Sequence, residues 1–139
     1  RDIMAEKVAV TLMKRRKEIV KAYDEAFSKL PQLFVQKEIP QSDTTRHLYI
    51  LRIIPEKLKI DRKQFFEALA AENICCQVHY IPVYYFPYYE KLGYQKGLCP
   101  KAEKLYEEEI SLPLYYAMTD QDVDDVIQAV TKIVEYFKR

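Results

Sequence analysis

The stretch at 47–54 reads HLYILRII, and the fold is decided by how it is understood. It is rich in β-branched and aromatic residues and apolar on both faces, the pattern of a strand buried inside a layered domain. Pro55 ends it. Downstream, Asp61 and Gln64 have the spacing of a reciprocal capping box. The helix they open has Phe65, Leu69 and Ala70 as its inner stripe, flanked by Phe66 and Ile74. The run 75–81 alternates Cys76, Val78 and Tyr80 with Gln77, His79 and Ile81, which predicts another strand. Pro100 suits the first turn of a helix through Glu109, and Ile110, Leu112 and Leu114 alternate as a strand after it. Thr119 and Asp122 cap a last helix, whose stripe is Val123, Val126, Ile127, Val130, Ile133, Val134 and Phe137. Upstream, 2–30 predicts a long helix stopped by Pro31, 34–39 a short strand, and 41–46 a polar loop.

The order α-β-β-α-β-α-β-α predicts an α/β (α+β) two-layer sandwich. It is a small, mixed or mainly antiparallel sheet with helices packed on one face. Two parts are expected: a leading helix, 1–30, and one folded unit, 31–139. The chain of 139 residues is long enough to bury a core, and 49% hydrophobic content excludes a disordered one. A net charge of +1 gives no bulk attraction to nucleic acid or to an anionic membrane, and no apolar run is long enough to span a bilayer. Basic residues gather in 1–21 and acidic ones in 103–125, and both read as solvated helix faces. The chain begins at Arg1, not Met, and is read as a piece of a longer protein.

The chemistry is bounded first by absences. Cys75, Cys76 and Cys99 make neither a disulfide framework nor, with His47 and His79, a paired zinc motif, so a reducing cytosol and no metal are expected. The two glycines, Gly93 and Gly97, offer no phosphate cradle, and no nucleophile elbow is present. On a strand, Cys76 and His79 face opposite ways and do not form a nucleophile pair. Glu107 and Glu108 read as exposed. What remains is 77–93, QVHYIPVYYFPYYEKLG, in which a strand delivers His79 and Tyr80 into a proline-stiffened aromatic segment. Tyrosines there present flat bodies with hydroxyl tips for a sugar, base or cofactor ring, or fill a gap between loop and core.

Taken together, HLYILR, VHYIPVYYFPYYEKLGY and CPKAEKLYEEEISLPLYYAMTDQDVDDVI resemble the C-terminal small domain of the DegT/StrS-type sugar-nucleotide aminotransferases, which have the type I fold of pyridoxal-phosphate enzymes. The His-Tyr-Ile-Pro-Val-Tyr form is most like the branch that aminates UDP-linked 4-keto-sugars, as in pseudaminic-acid-type biosynthesis. The resemblance implies transfer of an amino group from glutamate to a nucleotide-linked keto-sugar, for amino-sugar or cell-surface polysaccharide synthesis. It implies a cytoplasmic homodimeric parent in which a lysine of the larger domain holds pyridoxal phosphate. No stretch here resembles that lysine motif, so no cofactor is expected on this piece, no catalytic residue is assigned to it, and alone it is expected to be inactive. By position, the resemblance makes His79 substrate-facing, with Tyr80 and Tyr84 lining the pocket, and His47 and Arg46 contributing from the start of the strand. Tyr84 stands where some members carry His, Arg46 where an aromatic is common, and Tyr115–Tyr116 where many have Tyr-Pro. The alternative is a free-standing module that binds sugar nucleotides or a protein partner without catalysis.

Overall fold

Strand β2 (Tyr49–Ile53) is the centre of a three-stranded antiparallel sheet in a computed structural model that describes residues 3–139. Tyr49, Leu51 and Ile53 alternate inward along it, as its composition requires. On one side lies β1 (Leu33–Val35), in register Leu33↔Ile53 and Val35↔Leu51. On the other lies β3 (Glu109–Leu112), in register Tyr49↔Leu112 and Arg52↔Glu109.

Helix α1 (Ile3–Phe27), α2 (Arg62–Ala71) and α5 (Asp120–Phe137) supply the rest of one continuous core. Tyr23, Phe27 and Tyr49 form its aromatic centre, with the Tyr23 and Tyr49 rings edge to face at 4.9 Å. Each buried phenol finds an acceptor: Tyr23 donates to the Pro113 carbonyl at 3.0 Å and Tyr49 to Asp24 Oδ1 at 2.8 Å. Both expected capping boxes form, Asp61 with Gln64 and Thr119 with Asp122. The chain end is stitched beside the exit from β2, where Lys59 N–H donates to the Phe137 carbonyl and Arg139 N–H to that of Lys57.

The two-layer sandwich is as expected, and its sheet is antiparallel throughout. Several boundaries differ. Asp2 lies outside the described residues, and α1 ends at Phe27, where the Leu30 N–H turns back to the Phe27 carbonyl. The strand expected over 34–39 is Leu33–Val35, and the one expected to reach Leu114 stops at Leu112, ahead of Pro113.

The largest difference is 75–81, which is no strand: it makes one antiparallel bridge, Gln77↔Ser111. In that register Cys75 falls opposite Pro113, which has no N–H to donate, so the ladder cannot extend that way. Tyr80, expected on the same strand face as Cys76, is 76% exposed while Cys76 is buried. The tyrosine-rich stretch holds two single-turn elements, a 3₁₀ turn at Val83–Tyr85 and α3 (Pro87–Lys91), before α4 (Pro100–Glu108).

Leu51 is fully buried on the central strand, so Leu51→Ala is expected to lower unfolding stability by about 2–5 kcal/mol, read as a fall in the urea midpoint at unchanged slope.

Candidate functional site

Alternation along the sheet sends Tyr49, Leu51, Ile110 and Leu112 into the core and Phe34, Arg52, Glu109 and Ser111 to the other face. The polar character of that face is set there. Arg52 lies over the Phe34 ring at 5.0 Å and is ion-paired with Glu108. Glu108 is buried through this contact, contrary to the exposed helix face expected of it. Glu109 is 1% exposed, and neither carboxylate oxygen has a hydrogen-bond partner. Burial pushes its pKa up; the nearby His79 backbone N–H and the Arg62 charge only partly offset this. Arg62 itself lies over the Tyr106 ring at 5.3 Å.

Gln77 and Ser111 exchange backbone N–H and C=O bonds at 3.1 and 2.8 Å, which places His79 above this face. The Nδ1 atom of His79 lies 2.9 Å from Ser111 Oγ, and its ring meets Tyr80 edge to face at 4.7 Å. Tyr84 is turned elsewhere. Its hydroxyl donates to Glu103 Oε1 at 2.7 Å, and the Gly97 N–H donates to the same oxygen at 2.7 Å. Burial and this bond raise the Tyr84 pKa, while the Tyr84 hydroxyl, followed by the Gly97 N–H, holds Glu103 below the usual carboxylate range. Gly97 adopts φ +93, a conformation that favours glycine. With Tyr84–Tyr85 at 5.2 Å and Tyr85–Tyr106 at 6.3 Å, these residues brace the aromatic segment on α4.

His47 and Arg46 form a second group. Arg16 on α1 donates to the carbonyls of Thr45, Arg46, His47 and Leu114, tying the approach to β2 to the exit from β3. Neighbouring Arg15 holds the Met118 carbonyl at 2.7 Å and Asp120 at 2.8 Å. These two arginines are half-buried and not on the solvated face expected of them, because loop carbonyls converge on them. Arg46 is 8% exposed and reaches toward the Gln36 carbonyl and Glu38, while His47 is exposed. A cavity of about 300 Å³ between α1 and this loop is lined by Lys17, Lys21, Asp24, Glu25, Glu38 and Arg46. Among the described residues, no hydrogen bond or ring contact joins His47 or Arg46 to His79, Tyr80 or Tyr84.

Other chemistries fit poorly. Burial pushes the Cys76 thiol up to about 12, which makes it inert as a nucleophile. Among the described residues no cluster of His, Cys, Asp or Glu could hold a metal, and no helix is long and apolar enough to cross a membrane.

Residues 7–131 match the DegT/DnrJ/EryC1/StrS aminotransferase family. The chain belongs to this family. The spore coat polysaccharide biosynthesis protein SpsC of Bacillus subtilis is 41% identical over 126 residues, covering 89% of this chain and 32% of that protein. A UDP-4-amino-4,6-dideoxy-N-acetyl-beta-L-altrosamine transaminase of Campylobacter jejuni is 32% identical over 127 residues, covering 91% and 33%. Among solved structures, Helicobacter pylori PseC, an aminotransferase involved in the biosynthesis of pseudoaminic acid, superposes with a TM-score of 0.85 at 29% identity, covering 94% of this chain and 35% of that one. The chain thus spans about a third of the length of the curated relatives it matches.

Sequence reasoning missed Ser111, Glu109 and Arg16. The signal for the first two was present: Gln77 and His79, like Glu109 and Ser111, are polar residues at alternate positions, and two such rows share a face once the segments pair. Arg16 gave no signal, because it acts through carbonyls that only the tertiary fold gathers.

The raised pKa of Glu109 has a definite sign. Above its folded value the ionised carboxylate weakens the fold; as pH falls toward the ordinary carboxylate value, that penalty disappears. Glu109→Gln is therefore expected to raise the urea midpoint near neutrality, with the gain shrinking as the solution is acidified toward the ordinary carboxylate pKa.

Proposed function

We propose that this chain is the C-terminal domain of a pyridoxal-phosphate-dependent aminotransferase that moves an amino group from glutamate to a UDP-linked 4-keto-sugar. The reading is carried by the family match over residues 7–131, together with 32% identity to a UDP-amino-sugar transaminase. In it, His79 and Tyr80 face the sugar nucleotide, and Arg46 and His47 bound the site from the start of β2. Tyr84 serves the pocket from behind, by bracing the segment that carries Tyr80 onto Glu103. The parent is taken to be a cytoplasmic homodimer. The product serves amino-sugar or cell-surface polysaccharide synthesis, as the SpsC relative suggests.

Pyridoxal phosphate, when bound, supplies the electron sink for transamination. The residues described here do not make its site. Among the described residues no lysine is a buried charged side chain, and Lys132, which lines a groove between α2 and α5, is ion-paired to Glu72 at 2.7 Å. Gly93 and Gly97 both lie in open surface turns, and no glycine-rich cradle for a phosphate is present. The cofactor is assigned to the remainder of the parent.

The test is turnover. The intact parent, given glutamate and a UDP-4-keto-6-deoxy-sugar, is expected to release 2-oxoglutarate and the UDP-4-amino-sugar in equal amounts, resolved by chromatography. Residues 1–139 alone are expected to release neither. Absence of amino-sugar from the intact protein would count against the reading.

A further inference from the structure

We propose that Ser111 is a positioning residue for His79. Its buried hydroxyl donates to Nδ1, keeps the proton of the neutral imidazole on Nε2, and so presents His79 as a hydrogen-bond donor to an acceptor oxygen of the bound sugar nucleotide. This deepens the function proposed above and rests on it.

Ser111 is 3% exposed, and its backbone N–H and C=O are both engaged by Gln77, so its Cα–Cβ direction is fixed. Among the described residues, Oγ has one partner, His79 Nδ1 at 2.9 Å. A hydroxyl carries one hydrogen. If Nδ1 bore the imidazole proton, that proton would point at Oγ, and the hydroxyl hydrogen would need a different acceptor. Glu109 lies two residues earlier on the same face, and neither of its oxygens accepts from Oγ. The hydroxyl hydrogen would then be buried and unpaired, at a cost of about 1–3 kcal/mol. Donation from Oγ to Nδ1 avoids this cost and settles the tautomer. The edge-to-face contact with Tyr80 limits rotation of the ring away from Ser111.

Nε2 is then an N–H. It selects an acceptor, such as a phosphate or carbonyl oxygen, over a donor. The sequence carries the device in two separate places, His79 before the aromatic segment and Ser111 within ISLPL, and only the Gln77↔Ser111 bridge brings them together.

The experiment uses the intact parent with ¹⁵N-labelled histidine, and His79→Gln identifies the resonances. At mildly alkaline pH the wild type is expected to show a pyridine-type Nδ1 and a pyrrole-type Nε2. Ser111→Ala is expected to mix the tautomers and to weaken binding of UDP-N-acetylglucosamine, used as the probe, by about threefold to tenfold. Ser111→Thr, which keeps the hydroxyl, is expected to restore both. A pyrrole-type Nδ1 in the wild type overturns the proposal without any variant. So does a Ser111→Ala protein with either tautomer or affinity unchanged, or a Ser111→Thr protein that behaves like it. If His79→Gln leaves probe affinity intact, the substrate-facing reading of His79 fails and takes this inference with it. If His79→Gln weakens binding but the tautomer is not set by Ser111, only the inference falls.

Discussion

Strand β3 is hydrogen-bonded on both edges, and this double pairing is the constraint on which the rest depends. One edge runs against β2 from Tyr49↔Leu112 to Arg52↔Glu109, and the other meets Gln77 at Ser111 alone. Side chains on a strand alternate, so this one register decides two environments together. Ile110 and Leu112 enter the core beside Leu51, while Glu109 and Ser111 are carried to the face where His79 arrives. A slip of one residue would exchange the two sets, placing a carboxylate among Tyr23, Phe27 and Phe65. The apolar core therefore fixes the polar face, although the two share no side chains.

Helix α1 holds the other side of the assembly by a different means. Ile19, Tyr23 and Phe27 bury its inner stripe, and one turn earlier Arg15 and Arg16 collect carbonyl oxygens from the loops on either side of the sheet. Loop carbonyls that face a protein surface need donors, and a guanidinium offers five in a planar fork. Arg16 thereby couples His47 and Arg46 to Leu114, so the approach to β2 and the exit from β3 move together. His79 is held by Ser111 on β3, whereas the clamp grips the exit from the same strand at Leu114.

Much of the fold was legible in the sequence because its signals were local. Both capping boxes, the α5 stripe and the central strand are set by residues within a few positions of one another. Legibility failed where a partner decided the outcome. The alternation in 75–81 is real, but a strand needs a ladder, and Pro113 removes one of the rungs. Glu108 and Glu109 read as surface charges until one is seen paired with Arg52 and the other buried with no ion pair. The family resemblance put both Tyr80 and Tyr84 beside His79; the structure sets Tyr80 against the His79 ring and engages Tyr84 with Glu103.

The two acidic residues that end α4 and begin β3 show how the outer face is balanced. Glu108 is desolvated but paired with Arg52 and approached by Lys104, so its charge is compensated. Glu109 is desolvated without a hydrogen bond, and a buried carboxylate in that state weakens the fold rather than holding it. The opposite face works the other way: a continuous core from Ile19 to Val134 buries apolar side chains and stabilises the fold. A domain whose second face served only stability would fill position 109 with an apolar residue, as it does at 110 and 112. Position 109 instead keeps a carboxylate near the His79 backbone N–H, on the face where His79 meets Ser111. The stability of the sheet alone therefore does not account for the polar composition of that face, whereas the function proposed above would.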